Sequence, residues 1–145
     1  MYVVDASVWV ARFNPADKFH DDSRDWIAAI LPGRVAIVEP VIMLAELSGA
    51  LSRSVKESGI GERAVAYLSN LPGVSLAEIG LPLARHAAEV ASDLNLRGYD
   101  AMYVALAEDL QMDLVSWDSD HLARASSRVT VHRPTELLAA MKGAE

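Results

Sequence analysis

Residues Met1–Ala11 read MYVVDASVWVA, with a single charge, Asp5, among uncharged and mostly apolar neighbours. Val3-Val4 reads as a short buried strand, and Asp5-Ala6-Ser7 as the turn that ends it. Continuously apolar strands of this kind belong to parallel sheets covered on both faces. A carboxylate at the end of such a strand needs a cause, because burying it unpaired costs several kcal/mol.

Working outward, the rest of the chain alternates in the same way. Trp26, Ile27, Ile30 and Leu31 recur at helical spacing over Asp22 to Leu31, and Pro32-Gly33 stops them. Arg34 to Val38 (RVAIV) reads as a second strand, Pro40 to Ser58 as a long helix, and Ile60 to Leu71 as another. Val74 to Ile79 is a third strand, and Leu81 to Leu96 and Tyr99 to Gln111 are helices split at Arg97-Gly98. Leu114 to Trp117, a short helix near His121-Leu122, a strand at Val129 to Val131 and a helix at Pro134 to Met141 complete the order. Asn14 to Asp22 (NPADKFHDD) is polar and reads as an exposed loop. The expectation is an α/β fold with a mostly parallel sheet of four or five strands, forming one domain over residues 1–145.

Composition narrows the function. The 145 residues contain no cysteine, which excludes thiolate zinc sites, cysteine nucleophiles and a disulfide framework. No uncharged run reaches the roughly 18 residues of a spanning helix. The N-terminal apolar stretch lacks a basic region before it, so no signal peptide is expected, and the predicted location is the cytoplasm. The net charge of −7 argues against a general phosphate-backbone binder, unless a metal neutralises clustered acids.

Three further acids share the isolation of Asp5. Glu46 is the only charge in Pro40 to Ser52 (PVIMLAELSGALS), Asp100 the only one in Gly98 to Ala107 (GYDAMYVALA), and Asp118 directly follows LVSW. In a parallel α/β sheet, strand C-termini and the first turns of the following helices lie along one edge. All four carboxylates therefore reach one crevice, where they would repel each other and raise their pKa values. A hard divalent cation removes that conflict, and an all-oxygen set suits Mg²⁺ or Mn²⁺ better than Zn²⁺. Such a site can hydrolyse a phosphodiester. Each acid also has a structural alternative: a cap for Asp5 and Asp118, a helix-dipole partner for Asp100, a buried ion pair for Glu46. Ser7 and Ser116 are small hydroxyls able to hydrogen-bond an acid or a water. His20, His86, His121 and His132 show no metal-ligand spacing and read as surface or packing residues. Trp9, Tyr103 and Trp117 lie near the acids and read as core, with base stacking the alternative. Arg12, Lys18, Arg97 and Arg124 are candidate phosphate contacts.

VVDASV with Asp5 and Ser7, EPVIMLAEL with Glu46, LRGYDAMYVALA with Asp100, and LVSWDSDHL with Ser116 and Asp118 resemble the successive motifs of PIN-domain ribonucleases. The match is closest to small VapC-like toxins of prokaryotic toxin–antitoxin pairs and runs from Val3 to about Leu122. The resemblance implies a three-layer α/β/α sandwich and Mg²⁺- or Mn²⁺-dependent cleavage of RNA. It assigns Asp5, Glu46, Asp100 and Asp118 to the catalytic, metal-holding acids, with Ser7, Ser116 and Asp120 as accessory residues. It also implies a homodimer and a small antitoxin partner. The alternatives are a PIN nuclease that is not a toxin, and a PIN-like scaffold that binds RNA or protein without catalysis. A haloacid-dehalogenase-like phosphatase using Asp5 as nucleophile needs a second acid two residues on, where this chain has Ser7.

Overall fold

The computed structural model describes residues 1–33 and 35–144. Its core is a five-stranded parallel sheet: β1 (Tyr2–Val4), β2 (Ile37–Pro40), β3 (Val74–Ala77), β4 (Asp113–Val115) and β5 (Val131–His132), in spatial order β3-β2-β1-β4-β5. Every pairing is parallel, with Val3 opposite Val38 on one side and Leu114 on the other. Among the described residues, eight α-helices surround it: α1 (Ala6–Phe13), α2 (His20–Ile30), α3 (Ile42–Ser54), α4 (Ile60–Ser69), α5 (Leu81–Leu94), α6 (Gly98–Leu110), α7 (Ser119–Arg124) and α8 (Pro134–Lys142). α6 lies against β1, β2 and β4 and packs on α5, while α1 packs on α2 and α3, α3 on α4, and α2 on α8. The expected sandwich is therefore present, with all five strands.

Sheet order decides where a site can form. From β1 the chain winds outward to β2 and β3, then returns to the opposite side of β1 with β4 and β5. The crevice outside the carboxyl ends of β1 and β4 is the switch point at which open α/β sheets bind ligands. Asp5 follows β1 directly, and Ser116 follows β4.

The main departure from the sequence reading is α1. Its Val8-Trp9-Val10 run favours strand by side-chain preference. However, Asp5 caps Ala6–Phe13 through its carboxylate, and Ala6, Val8, Trp9 and Ala11 are buried between neighbouring elements. Tertiary burial overrides the local preference. Several boundaries also move: β3 ends at Ala77 instead of Ile79, and β5 is Val131–His132 instead of Val129 to Val131. β2 runs Ile37–Pro40 instead of ending at Val38, and Arg34, the expected start, lies outside the described residues. α3 stops at Ser54, and β4 stops at Val115, which leaves Trp117 on the crevice wall and Ser116 buried behind it. Within the expected loop, His20–Asp22 already form the first turn of α2.

Two local features place side chains at the site. Asn95 adopts φ +52°, the left-handed conformation that closes a helix, and turns α5 into the start of α6. Arg97 and Asp100 are thereby set at the mouth of the crevice. On the other side, α4 approaches α3 so closely that a Cβ on Gly61 would sit 2.5 Å from Ser48 Oγ and 2.9 Å from the Ser48 carbonyl oxygen.

No helix among the described residues is long and apolar enough to cross a membrane.

Candidate active site

A cleft of about 480 Å³ opens at the switch point, and Asp5, Glu46, Asp100 and Asp118 all line it. Ser7 lines it as well. The four isolated carboxylates of the sequence thus meet, although they come from β1–α1, α3, α6 and the β4–α7 junction.

Asp5 is 5 % exposed. Its amide donates to the Val115 carbonyl (2.9 Å), which ties it to β4, and its Oδ2 accepts from the Ser7 amide (3.1 Å) and the Ser116 hydroxyl (3.2 Å). The capping role and the place in the cleft coexist. Ser116 is fully buried; its Oγ also accepts from the Asp118 amide at 2.9 Å. Ser7 Oγ accepts from the Trp117 amide at 3.1 Å. The two hydroxyls therefore stitch the ends of β1 and β4 together.

Asp118 caps α7, its Oδ1 accepting from the amides of Asp120 (2.8 Å) and His121 (3.2 Å). Its Oδ2 faces the cleft, 3.7 Å from Arg97 Nη2. Asp100, 4 % exposed, lies in the first turn of α6 and accepts from Arg97 Nε at 2.7 Å. One exposed guanidinium is thus shared by two of the acids. Glu46, in the second turn of α3, accepts from the Tyr103 hydroxyl at 2.8 Å.

The electrostatics show strain among the acids. Burial, reinforced by the charges of Asp5 and Asp100, raises the Glu46 pKa even though Tyr103 donates to it. Burial likewise raises Asp100, against the opposing pull of Arg97 and with Asp118 adding to the rise. Burial and the nearby charges of Asp5, Glu46 and Glu39 push the Tyr103 phenol far up, so it remains a donor.

His121 was not singled out by spacing, yet it is fully buried in the centre of this network. Nε2 lies 2.9 Å from the Asp100 carbonyl oxygen, which can only accept, so Nε2 carries a proton. Nδ1 lies 3.1 Å from Ser116 Oγ and 3.8 Å from Asp5 Oδ1. Ligand atoms of Asp5, Asp100 and His121 fall within 4.8 Å of one another. Since both ring nitrogens already face protein partners, His121 is better suited to orienting Asp5 and Asp100 than to ligation. The oxygen donors of Asp5 and Asp100, with Glu46 and Asp118 around them, fit a hard cation such as Mg²⁺ or Mn²⁺.

Glu39 also escaped the sequence reading. It points inward from β2 at 0 % exposure, accepts from Trp9 Nε1 at 2.7 Å and leaves Oε2 without a partner. Its signal was present, since it is a lone acid between VAIV and PVIM. Asp120 is outside the cleft lining and stands 3.5 Å from Arg124 Nε. Of the candidate phosphate contacts, Arg97 lines the cleft and Arg12, Lys18 and Arg124 do not; Arg53, not anticipated, does. Trp9 and Tyr103 are core residues, whereas Trp117 is half-buried on the cleft wall.

Several solved structures share this architecture. VapC20 of Mycobacterium tuberculosis, described as a sarcin-ricin loop cleaving toxin, superposes with a TM-score of 0.73 at 20 % identity, over 85 % of this chain and 94 % of that one. A toxin–antitoxin complex from Klebsiella pneumoniae gives 0.69 at 14 % identity, over 92 % and 98 %. FitAcB from Neisseria gonorrhoeae gives 0.69 at 18 % identity, over 93 % and 99 %. At these identities the likeness concerns the fold. None of the curated proteins matches the chain by sequence. Residues 2–127 match the PIN domain, and with the parallel sheet and the acid-lined switch point in place, the chain belongs to the PIN domain family.

Proposed function

We propose that this protein is a divalent-metal-dependent endoribonuclease and the toxin of a toxin–antitoxin pair. The PIN domain is a nuclease fold. The observation that carries the reading further is the convergence of Asp5, Glu46, Asp100 and Asp118 on one cleft, with burial and mutual repulsion raising Glu46.

In this proposal Asp5 and Asp100 hold the cation, with Glu46 and Asp118 completing the acidic shell. A bound Mg²⁺ or Mn²⁺ would polarise a phosphoryl oxygen and help make water a nucleophile. Glu46 accepts a proton from the attacking water, a role suited to a carboxyl held above its ordinary range. Tyr103 fixes the Glu46 carboxylate through its hydroxyl. Ser116 and His121 keep Asp5 and the Asp100 backbone in place, and Ser7 holds the β4 end against β1. Water adds to phosphorus as Glu46 takes its proton, the P–O3′ bond breaks, and the departing O3′ takes up a proton from solvent, so the products carry a 3′-hydroxyl and a 5′-phosphate.

The partner proposals follow from the family resemblance and from fold neighbours that include a toxin–antitoxin complex. They are a cognate antitoxin, a homodimer acting in the cytoplasm, and a single domain spanning residues 1–145. The test is cleavage of end-labelled RNAs by the purified chain with Mg²⁺ or Mn²⁺. Activity is expected to vanish with chelator and to fall steeply in Asp5→Asn and Asp100→Asn. Metal-independent RNA binding without cleavage by the wild type would leave a binding scaffold instead.

A further inference from the structure

Three aromatic side chains line the acid cleft, and two of them form a stack. The rings of Phe19 and Trp117 lie 4.0 Å apart at an interplanar angle of 2°. Both are half-buried, unlike Trp9, Trp26 and Tyr103, which are enclosed in the core. Trp117 is held through its ring and Phe19 through its backbone. Trp117 Nε1 donates to the buried Ser23 hydroxyl on α2 at 2.8 Å, and the Phe19 amide donates to Asp17 Oδ1 at 2.8 Å where α2 begins. Trp117 also directly precedes Asp118 in sequence, so its distance from the acids is fixed by the chain.

Charge decides what this wall is for. The protein carries a net charge of −7, and the cleft presents five acids, Asp17 included, against two arginines, Arg53 and Arg97. Arg97 is already engaged by Asp100 and Asp118. Phosphate neutralisation by basic side chains, the usual source of nucleic-acid affinity, is therefore weak within the cleft; the nearest further cation, the exposed Lys18, lies with Nζ 4.7 Å from the Phe19 ring centroid, and a base that stacks on Phe19 displaces it. Base stacking on aromatic rings does not depend on charge and contributes comparably to a good ion contact. A rigid, pre-ordered aromatic pair loses little entropy on engaging a base.

We propose that the Phe19–Trp117 stack is the docking surface for an unpaired nucleobase flanking the scissile phosphate. This rests on the ribonuclease reading for the identity of the ligand. The stack supplies affinity and selects for unstacked bases, and the acids supply the chemistry.

The experiment measures binding, in the full chain carrying Glu46→Gln, which removes the proton acceptor and leaves Asp5 and Asp100 to hold Mn²⁺, with Mn²⁺ present. Short single-stranded oligoribonucleotides are compared with copies made abasic at one position. Phe19→Leu is expected to weaken binding about 5- to 150-fold, the range for one base–aromatic contact. The abasic site nearest the metal is expected to cost as much in the parent and nothing further in Phe19→Leu. Trp117→Phe, which keeps a ring, should bind within a few-fold of the parent. Affinity should fall only shallowly with added salt. A second readout requires no change to the stack: Trp9 and Trp26 are 0 % exposed, so iodide quenching of emission reports Trp117. Oligoribonucleotide should shield it. Unchanged quenching, a Phe19→Leu variant that binds as tightly as the parent, or an abasic penalty that survives in that variant would overturn the proposal. Wild-type cleavage run alongside separates the two claims: no cleavage with base-dependent binding removes the nuclease, while cleavage without base dependence removes the stack.

Discussion

Glu39 offers a prediction whose size follows from elementary linkage. The side chain is fully buried, one oxygen is bonded to Trp9 Nε1, and the other has no partner. Burial, with the charges of Asp5 and Glu46 adding to it, raises its pKa well above the usual carboxylate range, against the pull of Trp9 and of the Val4 backbone. The folded chain therefore keeps a proton that the unfolded chain releases near the ordinary glutamate value of about 4.3. Because the folded pKa is the raised one, the favourable contribution is complete below the unfolded value of about 4.3 and is lost as pH rises from there to the folded pKa. While the folded chain alone holds the proton, the loss runs at about 1.4 kcal/mol per pH unit. Glu39→Gln keeps an acceptor for Trp9 and needs no proton. The difference in unfolding free energy between variant and wild type should move steadily in favour of glutamine as pH rises from 5. The gain is up to about 1.4 kcal/mol per unit, and it stops where the folded chain finally ionises. Urea unfolding of both proteins at pH 5, 6 and 7 measures it, with every other titrating group cancelling in the difference. Parallel pH profiles would refute the reasoning, because they would mean that Glu39 exchanges no proton on unfolding.

Other perturbations test the surrounding structure. Ser116→Ala orphans the Asp118 amide and removes the hydroxyl between Asp5 and His121. A stability loss of about 1–3 kcal/mol and Mn²⁺ binding about 10–100-fold weaker are expected, read by unfolding and by calorimetry. Arg97→Gln removes the guanidinium shared by Asp100 and Asp118, so Mn²⁺ should bind several-fold more tightly in the same calorimetric titration. Gly61→Ala gains about 1 kcal/mol of helix propensity, but drives a Cβ to 2.5 Å from Ser48 Oγ and 2.9 Å from the Ser48 carbonyl. Overpacking of about 1–3 kcal/mol should dominate and lower the Tm in a thermal melt.

Much of this arrangement was legible in the residue order. Short apolar strands separated by helices specify a parallel sheet, and acids isolated in apolar surroundings mark its carboxyl edge. Asp5, Glu46, Asp100 and Asp118 were found on that logic because the signal, one charge in an apolar run, is local. Helix α1 was missed because Val8-Trp9-Val10 carries strand-like side chains in a segment that burial makes helical. The Asp5 side chain capping the Ser7 amide was the available clue. His121 was passed over because its partners, Ser116 and the Asp100 carbonyl, come from separate elements, and spacing along the chain does not encode that meeting. Phe19 looked like part of a polar loop for the same reason: Trp117, the ring it stacks on, lies 98 positions further along the chain.

The most direct measurement is Mn²⁺ binding to the wild-type chain and to Asp5→Asn and Asp100→Asn, followed by electron paramagnetic resonance beside RNA cleavage under the same conditions. Saturable binding that collapses together with cleavage in both variants is the expected result. A wild type that cleaves RNA without taking up Mn²⁺ or Mg²⁺, or variants that bind the ion as tightly as the parent, would contradict the idea that these carboxylates were gathered to hold a cation.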